Sequence, residues 1–227
     1  MADRVPPSAW AVFHSGLLIA KESLLRAAEQ DPEDPTPYSY LAGPIAKGLQ
    51  LDSDQTVEWF TVAITKDPLN CKARFGRMST LCKKWGGSHE AMFAFARGTT
   101  KACPKNSRLG SILLHAFYER WLYLKNFERR QRTAKDYLRS PKMRDEALAI
   151  YKRCFEGQEI SEISDVGVHT TVARFLLVAG FEAEANRELC KLKPWKVILP
   201  QNDIVSATLR LPRPEVAVHF LAQDLRS

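Results

Sequence analysis

The chain has no long apolar run: no window approaches the roughly 18 uncharged apolar residues that crossing a bilayer requires. Its first residues, Met1-Ala2-Asp3-Arg4-Val5-Pro6-Pro7, lack a basic stretch followed by an apolar one, so no leader is expected and the expected location is the cytoplasm. Strand-like patterning is missing as well, since no segment alternates cleanly over about six residues, and this argues against a sheet. Catalytic and metal motifs are equally scarce. The histidines His14, His89, His115, His169 and His219 are scattered, and none forms H-E-x-x-H or a local pair with cysteine. Gly86-Gly87 lacks the lysine and the preceding strand of a phosphate loop, and there is no G-x-S-x-G elbow. A non-enzymatic protein without cofactor or metal is therefore expected. The cysteines Cys71, Cys82, Cys103, Cys154 and Cys190 are odd in number and show no metal-ligand spacing, so they are expected to be reduced core residues.

What the sequence does have is punctuation. Pro32, Pro68, Pro104 and Pro141 stand 36, 36 and 37 residues apart, and the first three follow apolar runs of helical period. Proline lacks an amide proton and disfavours helical geometry in the residue before it, so a proline at fixed intervals is expected to end the second helix of each unit. The expected fold is all-α, an α-solenoid of stacked antiparallel helix pairs with about 10 to 12 helices in a single domain spanning 1–227. Segments 31–37 and 193–201 are expected to be internal connecting loops.

Within that frame, residues 8–30 place Trp10, Phe13, Leu17, Leu18, Leu24, Leu25 and Ala28 near one helical stripe, with Ser8 as the expected N-cap. Helices are expected at about 37–50 and 54–66, the first bent at Gly43-Pro44. A long helical run covers about 107–138, with a break near Asn126. Two further short helices are expected in 201–226. Between the third pair of helices, Gly86 or Gly87 is expected in the left-handed conformation, Trp85 is expected to be buried, and Ser88 can cap the next helix.

Two resemblances follow from these residues. Ala173, Leu177, Gly180, Ala183, Leu189 and Pro194 fall roughly where a tetratricopeptide repeat alternates small, bulky and turn residues. The turn Trp85-Gly86-Gly87-Ser88, followed by Met92, Phe95 and Ala96, resembles the signature of an uncharacterised bacterial family of tetratricopeptide-like helical proteins. That resemblance spans about 40 residues, from Pro68 to Pro104, and implies a bacterial origin and a helical fold while supplying no chemistry.

The charge is unevenly spread. Residues 1–60 hold four basic and nine acidic side chains, whereas 66–153 hold 21 basic and seven acidic. Segment 120–144 concentrates nine basic residues among Trp121, Tyr123, Phe127 and Tyr137. Such a stretch serves as the solvated face of an amphipathic helix, as a surface for an acidic protein, or as a nucleic-acid site in which rings stack on bases. The candidate partner-binding residues are Arg120, Lys125, Arg129, Arg130, Arg132 and Lys135. The expected partner is another protein, with nucleic acid and membrane disfavoured. The sharpest expectation is a bacterial immunity protein that neutralises a cognate toxin by binding it. An adaptor or chaperone of a secretion or signalling complex is the alternative, and an RNA-binding regulator comes third.

Overall fold

The computed structural model describes residues 6–51 and 53–195, and every regular element among the described residues is helical. The chain divides into two compact units between Lys101 and Ala102.

The first unit opens with α1 (Pro7–Gln30), which begins on a proline, where the missing amide costs no hydrogen bond. Ser8 consequently lies inside the helix and is not its cap. After a turn come α2 (Thr36–Tyr40), a π-helical turn (Leu41–Ile45) and α3 (Ala46–Leu49) in one run. Pro44 sits inside the π turn, and a widened turn is one way a helix absorbs a residue that cannot donate. Leu41, Ala42, Ile45 and Trp59 form the buried centre, and Leu17, Ala20, Leu24 and Leu25 of α1 pack against it. Next follow α4 (Ser53–Lys66), α5 (Cys71–Thr80), a 3-10 turn (Lys83–Trp85) and α6 (His89–Ala102). The π turn and α5 approach backbone to backbone, because a Cβ on Gly43 would stand 2.9 Å from the Gly76 Cα. Asn70 caps α5, its Oδ1 accepting from the Ala73 amide at 2.8 Å and from the buried Ser39 hydroxyl at 3.2 Å.

The second unit holds α7 (Gly110–Asn126), α8 (Gln131–Arg139), α9 (Pro141–Cys154), α10 (Ile163–Ala179) and α11 (Glu182–Leu192), closed by a 3-10 turn (Lys193–Trp195). Its core is laid between α7 and α10, where the Phe117 and Phe175 ring centroids lie 5.9 Å apart. Gly180 (φ +71°) turns the chain from α10 into α11, which pack more extensively on each other than any other helix pair described.

The proline punctuation is visible in the helix ends. Gln30, Lys66, Ala102 and Arg139 close their helices two residues before Pro32, Pro68, Pro104 and Pro141. The run expected over 107–138 breaks after Asn126. Three further expectations need correction. Cys71, the first residue of α5, is only partly buried. Cys190 is exposed, because Ala185, Leu189 and Leu192 hold the inner face of α11 and Cys190 points more than a quarter-turn away. Trp85 is 48 % exposed. Helix α5 stops at Thr80, so helical spacing no longer governs where Trp85 points, and Cys82 fills the interior beneath the turn instead. The expected helices of 201–226, and all of 193–201 beyond Trp195, lie outside the described residues.

Candidate functional site

The Trp85 turn forms one wall of a cleft of about 620 Å³ within the first unit. Gly86 carries the left-handed backbone at φ +89°, and Gly87 is required for a different reason: a Cβ there would collide with the Leu81 carbonyl oxygen. The amides of Gly86 and Gly87 donate to the carbonyls of Lys83 and Cys82, so the turn is closed on itself. Ser88 Oγ accepts from the Ala91 amide at 3.0 Å, fixing the start of α6. Glu90 has its carboxyl held below the usual range, by its own amide first and by the Ser88 hydroxyl next.

Lys47 from α3, Arg77 from α5 and Lys84 from the turn all line this cleft, and no carboxylate does so among the described residues. Lys47 Nζ lies 5.2 Å from the centre of the Trp85 ring. Arg77 is half-buried, and burial lowers its pKa from the usual guanidinium value. Its side chain reaches Thr80 Oγ1 at 3.5 Å. Leu51 and Leu81 supply apolar wall. The sequence reading found Trp85, Gly86, Gly87 and Ser88 through their turn chemistry and missed Lys47, Arg77 and Lys84. Lys84 adjoins Trp85 in the chain, but Lys47 comes from an element more than thirty residues earlier, and only the packing of α3 against α5 brings it near.

In the second unit, the structure gathers the candidate basic residues around the α7–α8 connection. Arg129, at φ +53°, is exposed together with Arg130, Arg132 and Lys135. Arg120 and Arg130 approach Glu128 from two sides, at 3.6 and 3.7 Å. Lys125 Nζ lies over the ring of Trp121 at 4.8 Å. The rings divide: Trp121 is buried, while Tyr123 and Phe127 stack on each other at 5.1 Å with Phe127 exposed.

The densest cluster of ionisable groups lies deeper in the same unit. Glu188 is 0 % exposed and accepts from Tyr151 Oη at 3.1 Å and Lys191 Nζ at 2.7 Å, while its second oxygen meets His169 Nδ1 at 2.5 Å. Burial pushes the Tyr151 phenol up to about 12, with the Glu188 charge adding to it. Tyr151 and His169 are themselves buried, so no substrate reaches this carboxylate, and the arrangement is a satisfied polar core.

A further exposed apolar feature is the start of α1. Trp10 and Phe13 continue the stripe of Leu17, Leu24 and Ala28, yet they are 37 % and 47 % exposed. Their rings meet edge to face at 5.8 Å. The buried cluster that receives α1 takes Leu17 as its first contact along the helix, so the preceding turns extend past it. Among the described residues, no helix is long and apolar enough to cross a membrane, and no cluster of three or more metal-ligating side chains occurs. No family model matches the chain, and no curated protein matches it either.

Proposed function

We propose that this is a non-enzymatic protein-binding helical protein that docks its partner on the projecting first turns of α1. One observation carries the reading: the apolar stripe of α1 is continuous, but the core beneath it covers only the part from Leu17 onward. Burying an aromatic side chain of this size contributes about 1.5 to 3 kcal/mol, so Trp10 and Phe13 form a small anchor of the kind that dominates interfaces. The buried setting of Glu188 is in keeping with that reading, since this carboxylate and its donors Tyr151 and His169 are committed to the core.

The repeat reading belongs here too. Helices that end at regular prolines are consistent with tetratricopeptide-like units, whose usual task is to hold another protein. Within that class we favour a bacterial immunity protein that blocks a cognate toxin, with a secretion or signalling adaptor as the alternative on the same face.

The test is co-expression with the product of the adjacent reading frame. A stable complex is expected, and Trp10→Asp with Phe13→Asp should abolish it while leaving the melting temperature unchanged. If the neighbour is a toxin, co-expression should also restore growth of cells producing it, and the double variant should not. A complex unaffected by the double variant would overturn the α1 assignment; a complex without growth rescue would favour the adaptor.

A further inference from the structure

Two of the buried cysteines share a setting that packing alone does not call for. Cys103 and Cys154 stand 51 residues apart in the chain, and both belong to the second unit. The Asn106 amide donates to the Arg153 carbonyl at 3.1 Å, which clamps the segment leading into α7 onto the end of α9. There the Arg153 guanidinium donates to Cys103 Sγ at 3.0 Å and also hydrogen-bonds Cys154, and the two thiols hydrogen-bond each other. The Cys154 sulfur rests on the α7 backbone, since a Cβ on Gly110 would stand 2.7 Å from it. Cys82 shows the ordinary case, its sulfur 3.5 Å from the Met92 thioether in the core of the first unit.

Two sulfurs already within hydrogen-bonding distance need only a short approach to reach the roughly 2.05 Å of a disulfide. Exposure separates their roles. Cys103 is 8 % exposed and is followed by the exposed residues Pro104, Lys105 and Asn106, whereas Cys154 is 0 % exposed, so a small oxidant meets Cys103 first. Burial raises the Cys103 thiol above its ordinary value, with Cys154 adding to it, and the Arg153 charge acts the other way, toward the thiolate that is the nucleophile. We propose that Cys103 and Cys154 form a dithiol site oxidised by hydroperoxides, with Cys103 as the attacking sulfur, Cys154 as the resolving sulfur and Arg153 as the cation that positions both. The Cys103 thiolate attacks one oxygen of the peroxide, the O–O bond breaks, the leaving oxygen takes a proton, and a sulfenic acid remains on Cys103. The Cys154 sulfur then attacks the Cys103 sulfur; the S–S bond forms, the S–O bond breaks, and water leaves with the Cys154 proton. With hydrogen peroxide, two thiols and one peroxide give one disulfide and two waters, and the peroxide takes both electrons. The new bond fastens the segment before α7 to α9 and closes a loop of about fifty residues, independently of the α1 surface.

Treatment of the full chain with hydrogen peroxide tests the assignment, in a Cys190→Ser background that removes the exposed thiol able to link two copies. Over hours the protein should lose about two mass units, and tryptic mapping without reductant should join the Cys103 peptide to the Cys154 peptide, with dithiothreitol reversing both changes. The oxidised form should melt higher by about 5 °C or more, because the cross-link restricts the unfolded chain. With Cys154→Ser added, Cys103 should stop at the sulfenic acid and take up dimedone; with Cys103→Ser added, Cys154 should stay reduced. Arg153→Gln should slow disulfide formation by about three- to ten-fold, and Arg153→Lys, which keeps the charge, should restore most of the rate. Should any of these variants fail to fold by its melting curve, the peptide map of the parent protein decides alone. A map that joins other cysteines or none, an oxidised form that melts no higher than the reduced one, a folded Cys103→Ser protein whose Cys154 is oxidised, or a folded Arg153→Gln that reacts at the unaltered rate would each overturn the proposal.

Discussion

Glu188 holds a carboxylate where no solvent reaches it, and three donors converge on it from α9, α10 and its own helix. Such a group is stable only as a set. Removing the carboxylate leaves the Tyr151 hydroxyl and the Lys191 ammonium without their buried acceptor, so Glu188→Ala should destabilise the second unit by about 3 to 5 kcal/mol. Thermal melting is the measurement, and a change below about 1 kcal/mol would show that the three donors find water instead. Asp165 makes a different case because it responds to pH. Burial alone would raise its pKa, but the Arg108 guanidinium at 2.5 Å and the amides of Glu162 and Ser161 outweigh that and hold it below the ordinary value of 3.8. A depressed folded value means its stabilisation is present above 3.8 and is lost as pH falls through that value toward the lower folded one. Acid melting of Asp165→Asn should therefore be shallower than that of the wild type between about pH 5 and 3, and the two curves should converge at the acid end.

Among the elements, the turn at residues 81–88 shows both what sequence patterns reveal and where they stop. The glycine pair and the Ser88 cap were legible because turns and helix starts use local chemistry, written in adjacent residues. Proline spacing marked four helix ends because a missing amide acts within one turn. Exposure was less legible. Trp85 and Cys190 were misplaced, since burial depends on which neighbouring element covers a face, and the chain does not announce its neighbours at short range. The cationic cleft was invisible for the same reason, its members being drawn from α3, α5 and the turn. At this scale the turn also yields a sharp steric expectation. Gly87→Val would drive a Cβ against the Leu81 carbonyl, and Gly86→Val would place a branched residue at φ +89°. Each should destabilise by about 1 to 3 kcal/mol through backbone strain. Melting temperatures of the two single variants check this; if both are unchanged, the turn geometry is wrong. Helix α1 offers the contrasting outcome: Trp10 and Phe13 are not among the side chains packed on the buried cluster of Leu41, Ala42, Ile45 and Trp59, so replacing both by alanine should leave the melting temperature nearly unchanged.

Across the whole chain, charge is the property that local reading found and packing refined. The 66–153 stretch holds 21 basic and seven acidic residues, and Arg129, Arg130 and Arg132 are exposed together around the α7–α8 connection. Two readings of that group, an acidic protein and a nucleic acid, make opposite demands. Stacking on bases needs free ring faces, but Trp121 is buried under Lys125, and Tyr123 is stacked on Phe127. Steering of an acidic protein needs only the field of exposed charges. Reversal to Glu at Arg129, Arg130 and Arg132 should leave folding largely intact, because exposed charges contribute under about 1 kcal/mol each and, among the described residues, the ion pair sacrificed is that of Arg130 with Glu128, at 3.7 Å. With an acidic partner the triple variant should associate more slowly, and the deficit should shrink as salt screens the field. Nucleic-acid binding would instead show in the unaltered protein as affinity falling steeply with salt, through counterion release from phosphates. Filter binding of wild-type protein to mixed oligonucleotides at about 50 and 200 mM salt decides between them. No retention at the lower salt is the expected outcome; retention there with a steep loss at the higher would put RNA or DNA ahead of an acidic protein as the partner of this segment.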